Sequence, residues 1–207
     1  MHQGIFITLE GVEGAGKSTL MAYVAEFYAD KGRDVIQTRE PGGTKTGEQI
    51  RAILLDSDNQ SLTDNTELLL MFAARMQHID EVIKPALSAG QIVICDRFTD
   101  ATYAYQGAGR GLEITRITEL ENWVQKGMKP DITLLFDIDV ETGLRRANQR
   151  SDADRFEQEE ISFFERIRSC YLQRAEHEPE RFRIVDSSQS FENVKKQIQT
   201  ILEEYSC

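Results

Sequence analysis

Five short apolar runs, separated by stretches with helical spacing, predict an α/β fold in three layers, a five-stranded parallel sheet with helices on both faces. A second observation is Gly11-Val12-Glu13-Gly14-Ala15-Gly16-Lys17-Ser18 directly after the first run. This is the G-x-x-x-x-G-K-[ST] spacing of a phosphate-binding loop set between a strand and a helix. A third is that the remaining unusual sequence, residues 39–44, 96–110 and 186–190, follows the second, third and last runs. Loops at the carboxyl ends of parallel strands are where such sheets gather ligands. Together these predict a P-loop NTPase-type architecture with right-handed crossovers.

The elements follow in order. Ile5 to Leu9 is the first strand. Beyond the P-loop, Leu20, Val24, Phe27 and Tyr28 recur on one helical face, and Gly32 is placed to end that helix. Asp34 to Thr38 reads as the second strand, and Arg39-Glu40-Pro41-Gly42-Gly43-Thr44 as a loop by its Pro-Gly-Gly content. Ile50, Ile53, Leu54 and Leu55 suggest a short helix before a polar loop over 56–65. Thr66 to Ala89 has helical periodicity, with Pro85 marking a break or a new turn. Ile92 to Cys95 is a buried strand ending in Asp96. A glycine-rich loop over 107–111 then precedes a helix over 114–125. Ile132 to Phe136 is the fourth strand and Glu141 to Gln149 a helix. The charged stretch 145–160 leads into a helix marked by Phe163, Phe164, Ile167 and Tyr171. Phe182 to Val185 is the last strand, and Val194, Ile198, Ile201, Leu202 and Tyr205 mark the terminal helix. No repeat, linker or composition break divides the chain, so a single domain over 1–207 is expected.

With 207 residues, 40% of them hydrophobic and 29% charged, the chain is expected to be an ordinary soluble globular protein. A net charge of -11 argues against a nucleic-acid or membrane surface, so any anionic substrate must be held by locally clustered arginines and lysines. Cys95, Cys170 and Cys207 have neither zinc-ligand spacing nor the pattern of a disulfide framework, which favours a reducing, cytoplasmic setting. The N-terminus carries no signal-peptide pattern and the chain no membrane-spanning run.

The P-loop supplies inward-turned backbone N–H groups and the positive end of a helix to an anion. Lys17 can reach the β- and γ-phosphates, and Ser18 can offer its hydroxyl to Mg²⁺. The whole run Gly11, Val12, Glu13, Gly14, Ala15, Gly16, Lys17, Ser18 and Thr19 is thus the expected seat of a nucleotide triphosphate. Asp96 ends a buried strand in the manner of a Walker B carboxylate, a second candidate for Mg²⁺; the alternatives are a helix cap or a partner for Arg97. Glu13 puts negative charge into a loop built for phosphate. It is either a solvated loop glutamate or the acceptor for a sugar hydroxyl. Arg39, Arg75 and Arg97 fall at two strand ends and on a helix, where one cleft could gather them into a second anion site.

Several segments together closely resemble bacterial thymidylate kinases: Phe6-Ile7-Thr8-Leu9-Glu10-Gly11, the P-loop, Thr38 to Thr44, Asp96-Arg97-Phe98, Ala104-Tyr105-Gln106-Gly107 and Asp154-Arg155-Phe156-Glu157. The P-loop alone is shared by many activities; the R-E-P-G-G-T, D-R-F and A-Y-Q-G set in this order is far more specific. The resemblance implies transfer of the γ-phosphate of ATP to dTMP. It implies that Glu13 accepts from the 3′-hydroxyl, Arg39 and Arg97 hold the dTMP phosphate, Phe72 stacks on thymine and Arg75 donates to a base carbonyl. Tyr105 would crowd the 2′ position and Gln106 would sit against the base. Where many members carry serine this chain has Ala101, which would shift a base contact onto Thr102 or water.

Members differ in where the catalytic arginine sits. This P-loop has none, whereas Arg145, Arg146, Arg150 and Arg155 crowd the segment 143–160, the candidate lid. Arg150, with Arg146, is therefore expected to neutralise transition-state charge beside Lys17 and Arg97, the alternative being a solvated helix face. The resemblance also implies a homodimer. Competing readings are a different nucleoside-monophosphate or deoxynucleoside kinase, and a regulatory nucleotide switch, which the absence of an N-K-x-D motif disfavours.

Overall fold

The computed structural model describes residues 3–59, 61–147, 155–156 and 159–205. Five parallel strands, β1 (Ile5–Glu10), β2 (Val35–Arg39), β3 (Ile92–Asp96), β4 (Ile132–Asp137) and β5 (Phe182–Asp186), form one sheet in the order β2-β3-β1-β4-β5. The sheet is the one expected, with β1, β2, β4 and β5 each running one residue further than the apolar runs. Those terminal residues, Glu10, Arg39, Asp137 and Asp186, are polar and escape a hydrophobicity pattern, although the ladder includes them.

Because successive strand residues point to opposite faces, the sheet buries two sets of side chains. Ile7, Leu9, Ile92 and Ile94 pack with Leu20 and Val24 of α1 (Lys17–Ala29) and with Ile198 and Leu202 of α9 (Phe191–Tyr205). Phe6, Val93 and Cys95 face the other way, onto Phe72 of α3 (Asp64–His78), Ile79, Ile83 and Ile117. Each fully buried Leu, Ile or Phe contributes about 1.5–3 kcal/mol of transfer free energy. Covering both faces is what holds the carboxyl ends of β1, β2 and β3 in register.

The helices differ from expectation at their ends. Helix α2 (Lys45–Leu55) begins five residues before its apolar pattern, because Thr44 Oγ1 accepts the Gly47 N–H at 2.9 Å and starts a polar first turn. Thr63 caps α3 in the same way. The long helix expected over 66–89 is instead α3, a π-helical segment Ile79–Ile83, and α4 (Lys84–Ser88) with Pro85 in its first turn. Of the residues expected to form a glycine-rich loop, 107–109 are helical: α5 (Thr99–Thr102) runs into a π-helical segment Tyr103–Gly109, and 110–113 then connect it to α6 (Ile114–Gln125). Position 109 has no room for a side chain, because α8 (Ile161–His177) brings the Phe163 ring so close that a Cβ would meet it at 2.6 Å. Helix α7 (Val140–Ala147) carries the start of the lid segment; its expected continuation to Gln149 lies outside the described residues.

Candidate active site

In the sheet register, Leu9 of β1 and Arg39 of β2 both lie opposite Asp96 of β3. The P-loop, the R-E-P-G-G-T loop and the D-R-F turn therefore leave the sheet side by side. They share one cavity, lined by Glu13, Gly14, Gly16, Lys17, Ser18, Arg39, Arg75, Asp96, Arg97, Thr102, Tyr105 and Gln106. Most residues singled out from the sequence are brought together here. Glu40, Pro41, Arg51, Leu55, Met71 and Phe156 also line it. Glu40, Pro41 and Phe156 belong to motif segments, whereas nothing in the local sequence singles out Arg51 or Met71, which the folding of α2 and α3 onto the sheet brings there.

The P-loop is curled around its own lysine. Lys17 Nζ donates to Gly11 O at 2.9 Å and to Val12 O at 3.0 Å, and burial, with the nearby Arg97 charge, pushes its pKa down. Glu13 and Asp96 oppose that shift. Thr19 and Ser18 are exposed on the first turn of α1. Gly14 has φ +70°, and a Cβ there would lie 1.9 Å from the carbonyl of Gly143 in α7. The loop and the root of the lid thus pack backbone against backbone.

Arg97 is presented by a left-handed turn, φ +68°, unusual for a side chain of its size. Two backbone ties fix the turn: Arg97 N–H donates to Leu9 O at 3.0 Å and Phe98 N–H to Glu10 Oε1 at 2.7 Å. Its guanidinium reaches Glu13 Oε1 at 2.6 Å through Nη2 and Gly11 O at 3.1 Å through Nη1, and lies over the Tyr105 ring. Tyr105 also donates to Glu13 Oε1, at 3.0 Å. Glu13 is therefore no freely solvated loop glutamate. Burial alone would raise its pKa, but Arg97 and Lys17 outweigh that and hold the carboxyl below its ordinary value. Arg39 is half exposed and paired with Glu48, which also accepts the Gly43 N–H.

Another part of the cavity is built around Arg75. Nε donates to Glu40 Oε2 at 2.7 Å, and Nη2 to Phe98 O at 3.1 Å and Thr102 Oγ1 at 3.0 Å. Among the described residues its buried Nη1 has no partner. Phe72 is buried with the Arg75 guanidinium 4.9 Å from its ring centroid, and Met71 rather than Phe72 lines the cavity. Gln106 Nε2 donates to the fully buried Glu67, whose other oxygen accepts from Arg155 Nη2 at 2.5 Å.

Asp96 fits a cation site. Its Oδ1 is buried, has no hydrogen-bond partner among the described residues, and lines the same cavity as Lys17 and Ser18. No group of three or more metal-ligating side chains occurs among the described residues.

On the other side of the P-loop a second cavity is lined by Gly14, Ala15, Gly16, Thr19, Leu20, Arg146, Ser187, Gln189, Phe191 and Val194. Arg146 Nη1 donates to Ser187 O at 3.1 Å there. Sequence position marks the loop after β5 as ligand-bearing and Arg146 as a lid residue, but not their meeting. Arg150 lies outside the described residues. Among the described residues no helix is long and apolar enough to cross a membrane.

Comparison with known proteins agrees with this geometry. The thymidylate kinase family model matches residues 9–198. A thymidylate kinase of Pseudomonas putida (strain GB-1) is 55% identical over 199 residues, 96% of this chain and 95% of that one. One from Alcanivorax borkumensis is 54% identical over 201 residues, 97% of each. The crystal structure of thymidylate kinase from Ehrlichia chaffeensis superposes with a TM-score of 0.77 at 33% identity, covering 97% of this chain and 99% of that one. A family model spanning most of the chain, relatives of this identity and a site of this construction agree: the chain belongs to the thymidylate kinase family.

Proposed function

We propose that the chain is a thymidylate kinase that transfers the γ-phosphate of ATP to dTMP, giving dTDP and ADP for dTTP synthesis. The observation that carries this reading is a single cavity in which the P-loop lysine faces a second set of anion-binding arginines, Arg39 and Arg97, beside Glu13 and Tyr105. The acceptor phosphate would sit on Arg39 and Arg97, its 3′-hydroxyl on Glu13. Arg75 would donate to a carbonyl of thymine, with Met71, Thr102 and Gln106 around the base and Phe72 packed against the Arg75 guanidinium rather than on the base. Tyr105, packed edge-on to Phe156 and Phe163, leaves little room for a 2′-hydroxyl. ATP would lie along Gly11 to Thr19, its base in the cavity of Arg146 and Gln189.

Ser18 and Asp96 would hold Mg²⁺, which would neutralise charge on the donor phosphates. The acceptor phosphate is already an anionic nucleophile, so the protein's task is alignment for direct in-line transfer without a phosphoenzyme. Lys17 and Arg97 draw the two phosphates together, and lid closure excludes water. The catalytic arginines are assigned to the lid, Arg150 with Arg146. The Gly14–Gly143 contact supports this, since it leaves no space for a side chain at the P-loop position itself.

The whole chain would act as one nucleoside-monophosphate kinase domain in the cytoplasm, as a homodimer. Exposed Ile53, Leu69, Ile114 and Trp123 on the neighbouring helices α2, α3 and α6 suit a face shared between copies. A coupled assay with ATP and dTMP, dUMP, dCMP, dGMP or thymidine tests the reading. It requires dTMP to be preferred, dUMP to be moderately and dCMP strongly discriminated against. Equal efficiency on dCMP, or preference for thymidine, overturns it.

A further inference from the structure

Behind the acceptor cavity runs a chain of buried polar side chains that the phosphoryl transfer itself does not use. Glu40 accepts Arg75 Nε on one oxygen at 2.7 Å and His78 Nδ1 on the other at 2.9 Å. His78 Nε2 in turn meets Thr38 Oγ1 at 2.6 Å. His78 and Arg75 are no more than 2% exposed, Glu40 5%. The residues come from β2, the loop after it, and α3, so the chain ties the acceptor helix to the sheet.

The loop is shaped for this. Gly43 has φ +77°, and a Cβ there would lie 2.5 Å from His78 Nε2 and 2.6 Å from Thr38 Oγ1. A side chain at 43 would drive His78 off Thr38. The outcome of the chain is the placement of Arg75. With Nε held by Glu40, and Nη2 by Phe98 O and Thr102, the planar guanidinium cannot rotate. Its buried Nη1 has no partner among the described residues, and Arg75 lines the cavity. A lone Arg75–Glu40 pair would leave the carboxylate free to turn about its own side chain. His78 removes that freedom by occupying the second oxygen.

We propose that His78 is a specificity-positioning residue: through Glu40 it fixes the direction of the Arg75 N–H that reads the acceptor base, and so sets preference for a carbonyl over an amino group. This rests on the assignment of the cavity to dTMP. The test compares His78→Leu, which removes the donor to Glu40, with His78→Asn, whose amide nitrogen stands where Nδ1 stood. The measurements are the KM for dTMP, the inhibition constant of dCMP against dTMP, and the KM for ATP.

For His78→Leu the dTMP KM should rise about tenfold, the scale of one misdirected hydrogen bond to a charged group. The dCMP constant and the ATP KM should each move less than about twofold, because dCMP never accepts that N–H and ATP lies elsewhere. His78→Asn should remain within about threefold of the parent on every constant. Parallel weakening of dTMP and dCMP overturns the proposal, as does an unchanged dTMP KM in His78→Leu. If His78→Leu does not fold, Thr38→Val loosens the chain from its far end, and the same rise in the dTMP KM alone supports the proposal while its absence overturns it. A parent enzyme that ignores dTMP would instead refute the functional reading.

Discussion

Glu13 Oε1 lies 2.6 Å from Arg97 Nη2 and accepts the Tyr105 hydroxyl at 3.0 Å. One carboxylate thus holds both the arginine proposed to bind the acceptor phosphate and the tyrosine proposed to crowd its sugar. Glu13→Ala should lower kcat/KM for dTMP about 10–100-fold, as expected for losing charge-assisted hydrogen bonds. The KM for ATP should shift less than about threefold, since Lys17 is tethered to backbone carbonyls rather than to Glu13. Steady-state kinetics with each substrate varied in turn decides it; an unchanged dTMP KM would remove Glu13 from the acceptor site.

Asp96 makes the opposite kind of prediction, a large effect on rate with little on stability. Its buried Oδ1 has no partner among the described residues, so an amide in its place breaks no hydrogen bond at that atom. Asp96→Asn should keep its urea midpoint close to that of the parent. Turnover should fall about 10²-fold or more, with the Mg²⁺ concentration for half-maximal rate raised. A variant with parental Mg²⁺ dependence would remove Asp96 from the cation site.

Much of this site is legible in the sequence because its chemistry is local. The P-loop must be contiguous, since consecutive backbone N–H groups make the nest, and Asp96 follows its strand directly. Glu10, Glu40 and His78 are not legible as functional groups. Each works through a partner between 35 and 161 positions away: Arg75 for Glu40, Tyr171 for Glu10. Only the packing of α3 and α8 onto the sheet makes those pairs. Periodicity also misses the π-helical turns at 79–83 and 103–109, since the apolar spacing is that of an α-helix. Phe72, expected against the base, is buried alongside Arg75 because the same apolar spacing serves a core face and a cavity wall equally well.

The two glycines Gly14 and Gly111 separate backbone strain from steric exclusion. Both have positive φ, +70° and +76°, but a Cβ at 111 meets nothing within 4 Å, whereas one at 14 meets Gly143 O at 1.9 Å. Gly111→Ala should therefore cost about 1 kcal/mol, the left-handed penalty alone. Gly14→Ala should cost about 3 kcal/mol or more, because backbone must move. Urea denaturation of both variants measures the difference. Equal losses would mean that α7 does not rest on the P-loop as described.

Glu10 predicts a pH dependence of stability. It is fully buried; burial first, and the Asp100 charge second, raise its pKa to about 7 against Arg97, Tyr171 and Phe98, which lower it. In the unfolded chain it titrates near 4.5. Between these values the folded state binds the extra proton, so the contribution of this group is complete below pH 4.5 and is lost as pH rises towards 7. Glu10→Gln should flatten that part of the stability profile and gain on the parent at pH 8, by up to about 3 kcal/mol. Denaturant midpoints at pH 5, 6, 7 and 8 provide the measurement; parallel profiles for the two proteins would contradict it.

The lid arginines should divide by what they touch. Arg155 is anchored on the acceptor side: Nε donates to Leu54 O at 2.9 Å and Nη2 to Glu67 at 2.5 Å, and Glu67 holds Gln106. Arg155→Ala should act through that anchor, raising the dTMP KM several-fold while leaving kcat within about fivefold. Arg146 borders the cavity proposed for ATP and donates to Ser187 O, so Arg146→Ala should raise the KM for ATP as well as lower kcat. Arg150, proposed to meet charge only as the phosphoryl group moves, should behave differently from both. Arg150→Ala should lower kcat about 10³-fold with either KM little changed, the signature of an interaction formed in the transition state alone. If Arg150→Ala retained parental kcat and Arg146→Ala lost it, the transition-state charge would belong to the arginine at the root of the lid.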